Sequence, residues 1–511
     1  MNDLPPTWRL EELGSVMDVQ GGSQPPKAQF KYEPSKGYVR LLQIRDFGDK
    51  PVPTYVPERS VTKFCKKDDV LIARYGASLG RIVTGHEGAY NVALAKTIFD
   101  ERLFVKRFIF YLLQTAIFQV PLSMISRSAQ NGFARHEIAH INLPVPPLPE
   151  QMRIVAKIEE LLSELDKGVE SLTTALEQLK AYRKSLLKAA FEGKLTEDWR
   201  ARNADKIESP EALVARIKKE REEYYKAAVE GWHIAIAKWR AGGESGSRPS
   251  KPKALKDYPS EFHDLRIVLP ELPRGWVWSH LGWCSMGPEY GTAAKSSKSG
   301  AVPVIRMGNL QNGHIDWHDL VYTSDEQEIE QYSLRPGDVL FNRTNSPELV
   351  GKTSIYKGER PALFAGYLVR VNQIESIALG KYLTYFLGSP IAREHGNTVK
   401  TDGVNQSNIN GTKLQEYPCP FCTIFEQEEI VRILDAKLES ADIMEAEIEA
   451  GLARANALRQ SVLRRAFSGQ LVAQDPADEP ASELLKRIRA EKEDGGSTKR
   501  RNNKNGKKEA A

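Results

Sequence analysis

The sequence predicts an α+β protein that is built twice: two mixed α/β domains separated by two long helices forming an antiparallel coiled coil, the whole duplicated about a pseudo-twofold. Three observations predict it. Blocks of residues recur about 270 positions apart along the 511-residue chain. Each copy ends in a proline-free stretch with apolar residues every seven positions. Each copy also begins with short alternating strands punctuated by glycine and proline.

Composition fixes the class. With 41% apolar and 27% charged residues, the chain is neither predominantly disordered nor collagen-like, and it is long enough for three or four domains. Its longest apolar stretch, Phe108 to Leu122, is interrupted by Gln114 and Gln119 and is shorter than the ~18 residues of a spanning helix, so no membrane anchor is expected. The start, Met1-Asn2-Asp3-Leu4-Pro5-Pro6, carries no signal-peptide pattern, and four cysteines fit a reducing compartment. A cytoplasmic location is the expectation. A net charge of +5 permits a nucleic-acid partner without requiring one.

The elements follow in order. Residues 1–149 form the first domain, with strands such as 39–44 and 69–74. Residues 150–195 are the first long helix: Ile158, Leu165, Leu172, Leu179 and Leu186 recur every seven, with Leu161, Ala175, Tyr182 and Ala189 as the complementary positions, Pro149 in the first turn and Gly193 as the stop. Residues 196–269 hold a charged helix from Pro210 to about Glu230 and a flexible Gly/Ser/Pro/Lys linker, Gly242 to Lys253. Residues 270–425 repeat the domain. Residues 426–471 repeat the helix, with Leu434, Ala441, Ile448, Ala455 and Val462 at the seven-residue spacing, Thr423 to Glu426 as a capping box and Gly469 as the stop. Residues 472–511 hold a short charged helix, twin of the earlier one, and a basic tail expected to be disordered. Each long helix of ~43 residues would measure ~65 Å.

The match is detailed. Glu150-Gln151, Ile154-Val155 and Asp166 recur as Glu426-Gln427, Ile430-Val431 and Asp442, and Ala190-Phe191 recurs as Ala466-Phe467, all at a shift of 276. Upstream, Leu4-Pro5-Pro6-Thr7-Trp8 matches Leu272-Pro273-Arg274-Gly275-Trp276 at 268. The drift places insertions in the domains and constancy in the helices.

Three motifs invite a catalytic reading and fail on their surroundings. His136-Glu137-Ile138-Ala139-His140 has zinc-peptidase spacing, but prolines 144, 146, 147 and 149 close behind it stop a helix, and the second copy has no matching histidines. Gly76-Ala77-Ser78-Leu79-Gly80 resembles a nucleophile elbow, but another strand follows where a helix is needed. Cys419-Pro420-Phe421-Cys422 lacks a second ligand pair, and a shift of 274 pairs its cysteines with Val145 and Leu148. No G-x-G turn exists, and no Pro-Pro pair follows Asn or Asp as adenine methylation would require. The chain is therefore expected to be non-catalytic and to hold no metal.

The order of parts resembles the specificity subunit of type I restriction-modification enzymes. The residues that carry the resemblance are the two Leu-Pro…Trp openings, Gly21-Gly22-Ser23, Ile305-Arg306-Met307-Gly308-Asn309, Asp69 to Gly80, Gly337-Asp338-Val339-Leu340, Leu143 to Gln151 and the two Ala-Phe-x-Gly-x-Leu helix ends. The resemblance implies that each domain is a target-recognition domain reading one half of a bipartite, asymmetric double-stranded DNA target. It implies that the helices act as a ruler and dock two methyltransferase subunits, through which two restriction (motor) subunits join. S-adenosylmethionine, ATP and Mg would belong to those partners, with no cofactor on this chain.

Base readout calls for Arg against guanine and Asn or Gln against adenine, with Lys and other donors on the backbone. The candidates are Gln43, Arg45, Arg74, Tyr75, Arg81, Arg127, Gln130 and Arg135 in the first domain. In the second they are Tyr290, Lys295, Arg306, Asn309, Arg343, Asn345, Lys352 and Lys400. Two alternatives are a coiled-coil scaffold without sequence-specific DNA binding, which leaves the duplicated strand-rich heads unexplained, and a hydrolase built on His136 or Ser78.

Overall fold

The computed structural model describes residues 4–128, 132–245, 248–259, 261–262 and 265–491, with the side chains of 126–128 outside the description. The candidate Gln130, the side chain of Arg127 and the basic tail lie outside the described residues. The chain divides into two compact units, residues 1–173 with 448–511 and residues 174–447.

The first unit holds the first domain. Met17–Gly21, Leu94–Phe99, Leu71–Ala73 and Ile82–Val83 form one antiparallel sheet in that order, and Tyr55–Pro57, Tyr38–Leu42, Gly88–Tyr90 and Phe64–Cys65 form a second. In the second sheet Leu41 pairs in parallel with Ala89. All three residues of Leu71–Ala73 are buried, as a continuous apolar run between turn signals requires. A ribbon of Arg9–Glu12 on Asn142–Val145 leads the chain into the first long helix, Leu148–Phe191. The core gathers Trp8, Phe104, Phe108, Phe118, Ile154 and Ile158 with Phe467 from the end of the second long helix.

The second unit repeats the plan. Glu289–Tyr290, Leu368–Arg370, Val339–Asn342 and Thr353–Ile355 match the first sheet strand for strand, and Val304 again pairs in parallel, with Leu363. The ribbon is Val277–His280 on Pro418–Phe421, and the second long helix runs Ile424–Ala466. Phe191 packs its edge on Tyr382 and Phe386 at 5.3 Å, as Phe467 does on Phe108 at 5.1 Å in the first unit.

Within each unit a segment of one long helix runs antiparallel to a segment of the other. In the first, Arg459 is bonded to Asp166, and Leu172 lies against Gly451. In the second, Arg183 reaches Asp442 at 2.7 Å and Glu445 at 2.8 Å. Arg183 and Arg459, like Asp166 and Asp442, are 276 apart, so the duplication preserved this ion pair.

Five sequence expectations change. Leu162 and Ala190 are buried while Tyr182 is 42% exposed, so the complementary seam positions lie one residue later than expected, at Leu162, Leu176, Arg183 and Ala190. Steps of three-then-four and four-then-three fit a heptad equally well when leucines stand at both 161 and 162. Thr423 makes no capping box, because its hydroxyl is buried without a partner and Glu426 turns to Trp276, Thr196 and Arg200.

The charged helix runs Pro210–Ala241, beyond Glu230, capped by the Ser209 hydroxyl. The linker after it is not free, since Trp232 Nε1 donates to the Pro249 carbonyl and Lys251 lies over the Trp232 ring. Its twin, helical residues 481–491, buries Leu485 and Ile488 in the first core, as Leu213 and Ile217 are buried in the second. Finally, the 276 shift extends back through the ribbon to the short helices Arg135–Ile138 and Gly411–Gln415. Cys419 and Cys422 therefore correspond to Leu143 and Pro146, and His136, Glu137 and His140 to Thr412, Lys413 and Glu416.

Among the described residues no single helix is long and apolar enough to cross a membrane; the apolar stretch is two helices bent by 58° with Phe108, Phe118 and Leu122 buried.

Candidate nucleic-acid interface

The motifs of apparent catalysis resolve into structure. The helix carrying His136 and Glu137 is four residues long, His140 lies beyond it, and the Glu137 carboxylate accepts from the Ala134 amide. Ser78 sits in a tight turn between two antiparallel strands, with no helix behind it. Cys419 and Cys422 are buried thiols held well above the usual range by burial, and Cys65 is pushed up to about 11 and Cys284 to about 12 by the same cause. Such thiols stay protonated and inert.

Each domain is clamped to its helix by a buried carboxylate at the helix start. Trp8 Nε1 donates to Glu150 at 3.0 Å, and Gln474 donates to its other oxygen at 2.6 Å. Burial pushes the Glu150 carboxyl up. The counterpart Glu426 accepts from Trp276 Nε1 at 2.9 Å, Thr196 at 2.7 Å and Arg200 at 2.6 Å. The next residue repeats the lock: Gln151 bonds the amide of Val105 and the carbonyls of Leu103 and Pro146, and Gln427 bonds those of Leu379, Ile377 and Cys422.

On these frames the candidate readers fall into groups. In the first domain, Gln43 and Arg45 both donate to the buried Thr54 hydroxyl, at 3.1 and 3.0 Å. The Gln43 amide is tied to Asp46 at 2.7 Å, and Arg81 joins the group through the Phe47 carbonyl. Sequence reasoning missed Thr54 and Asp46; the three-residue spacing of Gln43 and Asp46 at a strand end was the signal for the latter.

Arg74 stands in a second group. Its guanidinium donates to the Phe133 carbonyl at 3.3 Å, lies 5.1 Å from the Tyr75 ring, and occupies space against Gly21 that a Cβ would take. Arg135 is apart from both, paired with Asp18 and largely exposed.

In the second domain, Arg343 donates to the Gly366 carbonyl at 3.0 Å and lies 5.0 Å from the Tyr290 ring, whose hydroxyl accepts from the Gly411 amide at 2.9 Å. Asn345 lies on the adjoining strand Thr344–Asn345, paired with Ser407–Asn408, and Lys400 joins through the Pro347 carbonyl at 3.2 Å. Lys295 is exposed in the loop after Thr292.

Arg306, equivalent to Gln43 at the strand end, reaches Asp319 at 3.1 Å. Asn309 is corrected: it is 3% exposed, and its side chain is spent on the Arg306 amide and the Asp316 and His318 carbonyls, all at 2.9 Å. Asn309 shapes the turn as Asp46 does in the first domain, and nothing of it is left to read a base. Lys352 is not gathered with Arg343 and lines a separate cavity.

The two arginine sites are alike by different means. Arg74 and Arg343 occupy matching positions at a strand end, each fixed by one backbone carbonyl and one tyrosine face, yet Tyr75 is a chain neighbour and Tyr290 comes from a distant strand. Gly22 and Gly291 let the backbone pass close beside them; a Cβ would stand 2.2 Å from the Asn91 and Tyr90 carbonyls in one and 2.1 Å from that of Phe364 in the other. A tyrosine-stacked, half-satisfied guanidinium retains donors for a planar acceptor pair.

Two like-built heads, each with one arginine–tyrosine group at the matching strand end, define a duplicated protein. A family model described as type I restriction modification DNA specificity domain matches residues 5–180 and again residues 286–453, together more than half the chain, and the chain belongs to this family. It is 26% identical to the EcoKI type I restriction enzyme specificity subunit of Escherichia coli strain K12, with 97% of this chain and 98% of that protein covered. It is 22% identical, over 97% and 98%, to the StySPI specificity subunit of Salmonella potsdam. The fold is shared, with a TM-score of 0.62 at 19% identity over 92% of this chain, with all of a chain from a structure concerning assembly and conformational transition of the type I R-M system.

Proposed function

We propose that this chain is the DNA sequence-specificity subunit of a type I restriction-modification system, with each domain reading one half of a bipartite, asymmetric target. The observation that carries the reading is the matched pair of arginines, Arg74 and Arg343, each on a tyrosine face at the same place in a duplicated fold. Arginine presents two donors in a fixed fork to guanine O6 and N7, and a stack that holds the fork lowers the entropy lost on binding. Arg45, Arg81, Lys295, Arg306 and Lys400 supply phosphate or base contacts around those centres, with Gln43 and Asn345 suited to adenine.

The chain acts in the cytoplasm without catalysis of its own. It docks two adenine-methyltransferase subunits, which bring S-adenosylmethionine and flip the adenine, and through them restriction subunits that use ATP and Mg. The test is adenine-methylation mapping across the genome of source cells with and without the gene. Loss of a split motif on deletion is the expected result; an unchanged pattern, in cells where the methyltransferase subunit is expressed and co-purifies, refutes it.

A further inference from the structure

Away from the reading groups, the second unit contains a cavity of about 300 Å³ where three elements meet. The first long helix contributes Lys180 and Arg183, the second contributes Glu445, and the domain contributes Lys352 and Arg393. Four cations thus face one carboxylate. Arg183 is already answered by Asp442 and Glu445. Among the described residues Lys352 Nζ reaches the neutral Gln311 oxygen, at 2.9 Å, and no carboxylate, and burial together with the neighbouring Arg393 guanidinium pushes its pKa down. Among the described residues neither Lys180, Lys352 nor Arg393 has a carboxylate at ion-pair distance. Like charges converging on a concave site whose one acid, Glu445, is already paired with Arg183 repel one another until an anion enters.

The first unit shows how these positions look without that demand. The 276 shift of the helices places Asn456 at Lys180. The helices Ala116–Ser128 and Pro390–Val399 place Gln119 at Arg393, and the turn glycines Gly80 and Gly351 place Arg81 at Lys352. Gln119 is a neutral side chain whose amide is satisfied by the Gly80 and Leu113 carbonyls, at 2.9 and 2.6 Å. Arg81 donates to Phe47. The cluster is therefore built in one half only, and neither repeated feature, reading face or helix clamp, explains it.

We propose that this cavity is an oxyanion site that takes a phosphate group, held by Lys352, Arg393 and Lys180. Its size is at the small end of ligand sites and suits a phosphate or pyrophosphate moiety rather than an extended ligand. Two sources carry that chemistry: a phosphodiester of bound DNA and a free phosphate. The site does not depend on the base-reading proposal, because an anion can fill it whether or not the heads read sequence.

The test uses the purified full-length chain, unfolded thermally while sodium pyrophosphate is titrated at constant ionic strength. The wild type is expected to show a saturable rise in Tm. Arg393→Gln, which installs the residue that the first half carries, and Lys352→Gln are each expected to weaken the apparent affinity about tenfold or more, while Arg393→Lys retains most of it.

A second arm measures the salt dependence of duplex DNA binding. If DNA supplies the phosphate, the slope of log K against log salt falls by about one for each cation removed and pyrophosphate competes with DNA; if the slope is unchanged, the ligand is a free phosphate. Absence of a saturable wild-type shift, combined with equal salt slopes in wild type and variants, overturns the proposal. Should a cavity variant fail to fold, Lys180→Gln on the exposed helix surface replaces it in both arms, with a smaller loss expected.

Discussion

The two clamps make a comparison in which each is the other's control. Glu426 is 1% exposed and accepts from three side chains, one of them Arg200, whose side chain is 12% exposed. Replacing Glu426 with Gln keeps the shape and removes the charge, leaving the Arg200 guanidinium with neutral acceptors alone, the Gly193 carbonyl, the Thr196 hydroxyl and the new amide oxygen. Breaking a buried pair from one side costs about 3–5 kcal/mol. Because Arg200 keeps these neutral bonds and some water, the lower figure of about 3 kcal/mol applies.

Glu150 is equally buried, but its partners, Trp8 and Gln474, are neutral. Glu150→Gln keeps the indole bond, strains one amide contact and removes a charge that burial already disfavours, so the loss is about 1 kcal/mol. A gap of about 2 kcal/mol should appear in urea unfolding followed by tryptophan fluorescence, with the midpoint lowered more by Glu426→Gln. Adding Arg200→Met to Glu426→Gln should restore more than half of the loss, since the orphaned charge is its main source. Equal losses at the two clamps, or no recovery in the double variant, would refute the reasoning.

Four further outcomes follow from the same structure. Arg74→Ala should relax or weaken recognition of one half-site and Arg343→Ala that of the other, each by about 1–3 kcal/mol, or roughly 5- to 150-fold, read by methylation mapping; equal loss at both half-sites from either change would assign the residue to folding instead. Asn309→Ala should lower stability by about 1–3 kcal/mol, because three backbone groups lose their partner, yet leave the methylated motif unchanged. Phe191→Ala, emptying a fully buried ring site against Tyr382 and Phe386, should cost about 3–5 kcal/mol in chemical denaturation. The raised carboxyl of Glu150 means that the folded state holds its proton more tightly than the unfolded chain. Between the ordinary carboxylate range and that raised value stability should therefore fall as pH rises, and this part of the pH profile should vanish in Glu150→Gln.

How far the sequence could be read depended on what each residue does. The helices, clamps and ribbon were legible because their residues are locked in pairs, so that Trp8 with Glu150 and Trp276 with Glu426 had to be kept together through the duplication. The seam phase was not legible, because Leu161 and Leu162 satisfy the heptad equally and only packing against the partner segment chooses Leu162. Asn309 misled for a related reason: an asparagine that finishes a turn and one that reads adenine are the same residue in the same kind of loop, and burial alone separates them. The linker looked mobile by composition, yet a single aromatic, Trp232, holds Pro249 and Lys251 against its ring and indole N–H.

The reading groups show what duplication frees as well as what it keeps. The carbonyl and tyrosine that fix Arg74 come from Phe133 and Tyr75, while those that fix Arg343 come from Gly366 and Tyr290. One arrangement of a guanidinium on a tyrosine face, at one place in the fold, is thus met by unrelated parts of the chain. If both arginines were structural, their supports would be expected to drift no more than the centre of each clamp, where the tryptophan–glutamate pair is kept as Trp8 with Glu150 and Trp276 with Glu426. They have drifted completely while the stacked guanidinium has stayed. That combination fits a face whose scaffold is fixed and whose specificity is set loop by loop, each domain free to change its half of the target without disturbing the other.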